Sequence, residues 1–264
     1  MFRSFEQSEP ALTPRGFSFV TVKSASLGQR ADLTVYTPSV APGARALPML
    51  VLLHGVYGSH WAWAFKGAVH LTLERMVRAG SALPMALVMP SDGLWGDGSG
   101  YLRHDRQDFE RWIADEVPAA ARRACPAIGE RSAMCIAGLS MGGFGALRLA
   151  ARYPERFVAA AAHSPITELS QLTPLIAEPL PALAVRSQPS ILEALTGARG
   201  PLPRLRFDCG ADDALLEPNR ALHRALVAAG VEHLYEELPG GHDWAYWSSH
   251  IGRTLEFFSA ALRQ

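Results

Sequence analysis

Ser140 lies in the run Cys135-Ile136-Ala137-Gly138-Leu139-Ser140-Met141-Gly142-Gly143-Phe144-Gly145, an apolar stretch that feeds a Gly-x-Ser-x-Gly sequence. A serine hydroxyl is a poor nucleophile at neutral pH. It becomes a useful one when the backbone presents it beside a general base. A strand that turns sharply into a helix does this, with glycine on both sides of the serine to admit the turn. Arg131 to Ala137 reads as the strand and Phe144 to Ala151 as good helix-forming sequence. The motif therefore has the context of a nucleophile elbow rather than of an ordinary glycine-rich connection.

A hydroxyl nucleophile needs a base, and the base needs an orienting carboxylate. Where this elbow is used, the acid and then the histidine follow the serine along the chain. His163, His223, His233, His242 and His250 all follow Ser140. His223 falls in a helical pattern, His233 begins the last strand and His250 lies inside the final helix. His163 closes a strand and precedes every plausible acid. His242 follows Leu238-Pro239-Gly240-Gly241, between the last strand and the last helix, where a loop can hang an imidazole over the sheet edge facing the serine. The acid is expected after the strand Leu205 to Cys209, where Gly210-Ala211-Asp212-Asp213 offers two neighbouring aspartates. Their side chains point in different directions, and spacing alone does not choose between them. Asp208, on the strand itself, is a weaker third candidate. The tetrahedral oxyanion needs amide donors: the Met141 N–H at the start of the helix, and one from His54-Gly55-Val56-Tyr57-Gly58, for which Val56 is chosen. His54 is expected to brace that loop.

Positioning these groups requires a sheet, and the chain supplies one. Phe17 to Lys23 and Ala31 to Tyr36 alternate apolar and polar residues, as half-buried antiparallel strands do, with Ser26-Leu27-Gly28-Gln29 as the turn. Leu50 to Leu53, Ala86 to Met89, Arg131 to Ala137, Val158 to Ala162 and Leu205 to Cys209 are short apolar runs suited to a parallel sheet covered on both faces. Helical stretches lie between and after them: His70 to Ala79, Phe109 to Arg123, Phe144 to Tyr153, Asn219 to Ala229 and Trp244 to Leu262. The expected fold class is α/β, a doubly wound, mostly parallel sheet with a hairpin at one edge. Ser164 to Pro203 breaks the alternation with seven prolines, which forbid long helices and central strands. It reads as a cap-like insertion over the edge where ligands bind.

Hydrophobic residues are 48% of the 264 and charged residues 19%, the composition of a globular chain, and residues 1–264 read as one domain. Lys plus Arg and Asp plus Glu both number 25, so no global field draws in nucleic acid or an anionic membrane. Cys125, Cys135 and Cys209 lack Cys-x-x-Cys spacing and read as buried or free thiols in a reducing compartment rather than as a zinc site. The N-terminus has no apolar core of a secretory signal. No segment has the length of a membrane span. The cytoplasm is the expected location.

Several motifs together carry a family resemblance. They are Leu52-Leu53-His54-Gly55-Val56-Tyr57-Gly58-Ser59-His60 with Trp63, Met89-Pro90-Ser91-Asp92-Gly93, Asp108-Phe109-Glu110 with Asp115-Glu116-Val117, Gly138-Leu139-Ser140-Met141-Gly142-Gly143, Gly210-Ala211-Asp212-Asp213, and Pro239-Gly240-Gly241-His242-Asp243-Trp244 with Trp247. In this order, from about residue 50 to the C-terminus, the sequence resembles the esterase D-like branch of the α/β-hydrolases, closest in motif to simple carboxylesterases. That branch places its triad aspartate three residues after the loop glycine, which points to Asp213 over Asp212, and its oxyanion-loop donor at the position of Val56. S-formylglutathione hydrolases of the branch carry Ser-Gly-Leu-Thr-Cys where this chain reads His54-Gly55-Val56-Tyr57-Gly58.

These residues lead us to expect a serine carboxylesterase with no cofactor and no metal, acting on a small neutral short-chain or aryl ester. An acyltransferase or a thioesterase on the same triad is the alternative. Tyr57, Trp95, Trp244 and Trp247 are the expected pocket wall. No cluster of basic residues marks an acidic-substrate pocket. The resemblance leaves room for a homo-oligomer, with no interface legible in the sequence.

Overall fold

Met49, Val51 and Leu53 point to one face of a strand and Leu50 and Leu52 to the other, and all five are buried. A strand buried on both sides is the centre of a sheet sandwiched between helices, and this is the architecture of the computed structural model, which describes residues 2–39, 46–179 and 190–264. Its strands are β1 (Phe5–Gln7), β2 (Phe17–Lys23), β3 (Arg30–Tyr36), β4 (Met49–Leu53), β5 (Ala86–Pro90), β6 (Met134–Leu139), β7 (Ala159–His163), β8 (Arg204–Gly210) and β9 (Leu234–Leu238). They form a nine-stranded sheet in the order β1-β2-β3-β5-β4-β6-β7-β8-β9. The pairs β1/β2, β2/β3 and β3/β5 are antiparallel, and the remaining pairs from β5 to β9 are parallel.

One face packs on the helices Ala62–Phe65, Val69–Arg78 and Trp244–Leu262, the other on Phe109–Arg111 continuing into Val117–Ala124, on Met141–Arg152, Ile191–Thr196 and Leu216–Ala228. Among the described residues no helix is long and apolar enough to cross a membrane.

The strand order reverses around β4: β5 lies on one side of it and β6 on the other. Loops leaving β4 and β6 at their C-terminal ends therefore diverge and open a crevice, the place where doubly wound sheets bind ligands. Val56 leaves β4 and Ser140 leaves β6. The two halves of the expected chemistry meet at this switch point.

Three local features depart from the sequence expectation. The edge strand β1 was not anticipated; at three residues it is defined by its partner β2 rather than by a pattern of its own. The nucleophile strand runs on to Leu139 and its helix starts at Met141, because Gly138 and Gly142 serve the strand and the helix as well as the turn. The helix from Phe109 is interrupted by a π-turn at Trp112–Glu116. Within the proline-rich stretch, single turns at Leu169–Gln171 and Thr173–Leu175 and the short helix Ile191–Thr196 are the described elements. The expected cap also includes residues 180–189, which lie outside the described ones.

Candidate active site

Ser140 adopts φ 53° and ψ −120°, a conformation that costs a non-glycine residue on the order of 1–3 kcal/mol and persists only where its surroundings enforce it. Here they do. A Cβ on Gly138 would lie 2.2 Å from the Gly142 carbonyl carbon, and one on Gly142 would lie 2.4 Å from the Leu53 carbonyl oxygen. Helix, β6 and β4 thus approach at backbone contact. The Ser140 N–H donates to the His163 carbonyl at 2.9 Å, which ties the elbow to the end of β7.

His242 comes to the serine on the loop after β9. Its Nε2 lies 3.0 Å from Ser140 Oγ and its Nδ1 2.8 Å from Asp213 Oδ2. A carboxylate only accepts, so Nδ1 carries the proton and the Nε2 lone pair is left facing the hydroxyl. Asp213 is buried, whereas Asp212 is exposed. The other Asp213 oxygen accepts the Leu215 N–H at 2.8 Å. Burial pushes the Asp213 carboxyl up, but the hydrogen bonds from His242 and Leu215, with the neighbouring Ser164 hydroxyl, outweigh it and hold the group below its ordinary value.

The acid loop and the histidine loop are joined backbone to backbone: Ala211 N–H donates to Leu238 C=O at 2.8 Å and Asp212 N–H to Gly240 C=O at 3.0 Å. Gly210 has no room for a side chain, since its Cβ would lie 2.3 Å from the Gly240 oxygen. The following helix is capped by Asp243, whose carboxylate accepts the Tyr246 N–H at 2.9 Å. His250, one helical stretch further on, meets the Pro239 carbonyl at 3.1 Å.

The turn Gly55–Gly58 closes with Gly58 N–H to Gly55 C=O at 3.1 Å and leaves the amide of Val56, its second residue, outside the turn's own hydrogen bond. Gly55 packs so closely that a Cβ would lie 3.3 Å from Ser140 Cβ. His54 lies beneath this turn. The Asp92 N–H donates to its Nε2 at 3.0 Å, so Nδ1 is the protonated nitrogen and donates to Gly55 C=O at 2.7 Å. On the other side Met141, first residue of its helix, has an N–H with no carbonyl one turn earlier to receive it.

The four residues expected to wall the pocket lie in different settings. Trp247 is buried with its ring edge-on to His242, centroids 5.1 Å apart. Trp244 packs edge-on to Trp247 and Trp63. Tyr57 is 69% exposed beside Val56. Trp95 packs on His104 and Phe109.

A second polar cluster supports this site and was not foreseen. His163 and Asp208 are register partners on β7 and β8, and both are fully buried. Asp208 takes a 3.1 Å hydrogen bond from His163 Nδ1, a 2.7 Å bond from the Tyr246 hydroxyl and a 2.5 Å ion pair from Arg206, while its carbonyl accepts the Ser164 N–H at 2.7 Å. Burial pushes this carboxyl up; the charge and hydrogen bond of His163, with Arg206 and Tyr246, overcome it and bring the pKa to about 2. A folded value depressed from 3.8 to about 2 contributes about 2 kcal/mol of stability above the unfolded pKa, lost as pH falls through the folded one. Asp208→Asn should destabilise by about 3 kcal/mol near neutrality, because Arg206 loses a buried partner. Urea unfolding should show the gap to wild type narrowing from pH 6 to pH 3; a gap independent of pH would contradict the assignment.

Comparison with known proteins accords with this fold. Residues 24–258 match the model of the family described as "Putative esterase". An acetyl esterase of Caldicellulosiruptor saccharolyticus is 30% identical over 233 residues, 81% of this chain and 84% of that protein. The structure of a ferulic acid esterase superposes with a TM-score of 0.79 at 27% identity, covering 93% of this chain and 97% of that one. The fluorophosphonate-binding serine hydrolase F of Staphylococcus aureus shares the fold, with a TM-score of 0.79 at 23% identity. With a mostly parallel sheet of the α/β-hydrolase type and a family match over most of its length, the chain belongs to this esterase family and is a hydrolase of ester bonds.

Proposed function

We propose that the chain is a serine carboxylesterase for small neutral esters and that Ser140, His242 and Asp213 are its catalytic triad. The observation that carries this reading is the continuous line from Asp213 Oδ2 through both nitrogens of His242 to Ser140 Oγ, at 2.8 and 3.0 Å. In the first half-reaction Ser140 Oγ attacks the ester carbonyl carbon while His242 Nε2 takes its proton. Asp213 stabilises the imidazolium so formed. The amides of Met141 and Val56 receive the developing oxyanion. Collapse of the tetrahedral adduct breaks the bond to the leaving alkoxide, which departs as the alcohol with the proton from His242. Water then attacks the acyl-enzyme, giving up its proton to His242, and the acid leaves as Ser140 is reprotonated.

The small acyl group is supported by the similarity to an acetyl esterase and by the closeness of Trp247 to the base. The test is hydrolysis of a p-nitrophenyl ester series from acetate to octanoate, together with labelling by a fluorophosphonate. Turnover falling steeply beyond short chains, with labelling lost in Ser140→Ala, is the expected result. Protein inert to acetate and unlabelled would end the reading. Ester formed at the expense of free acid when an acceptor alcohol is added would move it to acyl transfer.

A further inference from the structure

The glycine-rich loop after β5, Asp92-Gly93-Leu94-Trp95-Gly96-Asp97-Gly98-Ser99-Gly100, and the proline-rich insertion meet at one residue, Asp97. Its backbone carbonyl accepts the Tyr57 N–H at 3.1 Å, holding the turn that carries Val56. Its carboxylate accepts the Ala177 N–H at 2.8 Å, and its own N–H donates to Glu178 Oε2 at 3.2 Å. The Tyr57 hydroxyl donates to the Leu175 carbonyl. Three segments distant in sequence are thus clasped together beside the oxyanion turn.

The two glycines flanking Asp97 show how tight the clasp is. Gly96 has φ +51°, and a Cβ there would lie 2.1 Å from the Glu178 carboxyl carbon. A Cβ on Gly98 would lie 2.6 Å from Met141 Sδ and 3.1 Å from Val56 Cγ1. The side chains of both residues whose amides form the oxyanion hole therefore rest on the residue next to Asp97. Gly100 N–H also meets Met141 Sδ at 3.4 Å. Tyr57 and Leu175 remain exposed at the clasp and form its apolar rim.

We propose that Asp97 is a positioning and specificity residue: it docks residues 175–178 of the insertion onto the oxyanion turn, aligning the Val56 amide and closing the rim against bulky esters. The inference rests on the oxyanion assignment made above. It accords with glycine on both sides of Asp97, since Gly96 has a positive φ and a Cβ at 96 or 98 would displace the ends of the Glu178 and Met141 side chains. It also gives the insertion a task that prolines suit, a strap without a long helix or strand, which meets the clasp through backbone groups of Leu175 and Ala177 and the carboxylate of Glu178.

The test compares wild type with Asp97→Ala, Asp97→Asn and Tyr57→Phe on p-nitrophenyl acetate and p-nitrophenyl benzoate. Rates are normalised to the serine titrated by a fluorophosphonate, so that loss of folded protein does not count as loss of kcat. Asp97→Ala should lower kcat on acetate about tenfold with KM changed less than about twofold, the signature of an interaction made mainly in the transition state. The benzoate-to-acetate ratio of kcat/KM should rise severalfold. Asp97→Asn, which keeps an oxygen for the Ala177 N–H, should restore most of both, and Tyr57→Phe should reproduce part of the Asp97→Ala effect. Hydrogen–deuterium exchange gives a readout free of activity: Asp97→Ala should raise exchange both at 175–178 and at 55–58. Active wild type with an unchanged kcat, ratio and exchange in Asp97→Ala would overturn the clasp. Inactive wild type whose exchange still couples the two segments would instead overturn the catalytic reading alone.

Discussion

Ser140→Ala and His242→Ala should each lower kcat by on the order of 10⁶, and the double variant should be little worse than either one. In the proposed mechanism the nucleophile and its base act as one unit. Without His242 Nε2 at 3.0 Å the hydroxyl has nowhere to send its proton, and without the hydroxyl the imidazole has nothing to activate but loosely held water. Neither change disturbs the fold greatly. Ser140 sits in its unusual backbone conformation because Gly138, Gly142 and Leu53 leave no other path, and a methyl group satisfies those contacts as well as a hydroxymethyl does. The residual rate above water should come from the Val56 and Met141 amides, which both variants retain. A Ser140→Ala enzyme keeping more than a few per cent of wild-type kcat, with contaminating hydrolases excluded by mass spectrometry, would remove the serine from the reaction.

The parts of this molecule that were legible in its sequence are those that local physics dictates. The strand Phe17–Lys23 and the helix Trp244–Leu262 were read with their observed boundaries, since alternation marks the one and the loop Leu238-Pro239-Gly240-Gly241 leads into the other. The elbow was legible because backbone contact leaves glycine no substitute. What could not be read is what depends on register between strands. His163 and Asp208 are 45 residues apart and meet only because β7 and β8 align them; singly, each looked like a weak catalytic candidate, and together they form a buried support behind Ser140 and Ser164. The Asp97 contacts were equally hidden, because they join the loop to Tyr57 and to Ala177 and Glu178 of a segment that has no periodicity. The π-turn at Trp112–Glu116 leaves a run of good helix formers looking uninterrupted.

Asp213→Asn should lower kcat by on the order of 10⁴, while Asp212→Asn should change it less than about twofold. The reason lies in the demand placed on the two oxygens. Oδ1 accepts the Leu215 N–H at 2.8 Å and Oδ2 accepts the His242 Nδ1–H at 2.8 Å, so the position requires two acceptors and an amide supplies one. If the asparagine oxygen faces Leu215, its NH2 points at His242 Nδ1 and drives the proton to Nε2, the nitrogen that must be free to receive it from Ser140. If the amide is turned over, its NH2 confronts the Leu215 N–H, donor against donor, in a buried site. Both orientations fail, the first chemically and the second by leaving buried donors unmatched. Asp213→Glu would keep the charge but push the imidazole out of line, and should recover only part of the rate. Asp212, exposed and engaged through its backbone N–H with Gly240, keeps that bond in any substitution that retains the N–H. The pH profile sharpens the comparison. Since the Asp213 carboxyl is held below its ordinary value, it stays ionised throughout the working range and the wild-type acid limb should not belong to it. A larger loss from Asp212→Asn than from Asp213→Asn would show that the carboxylates have been assigned the wrong way round.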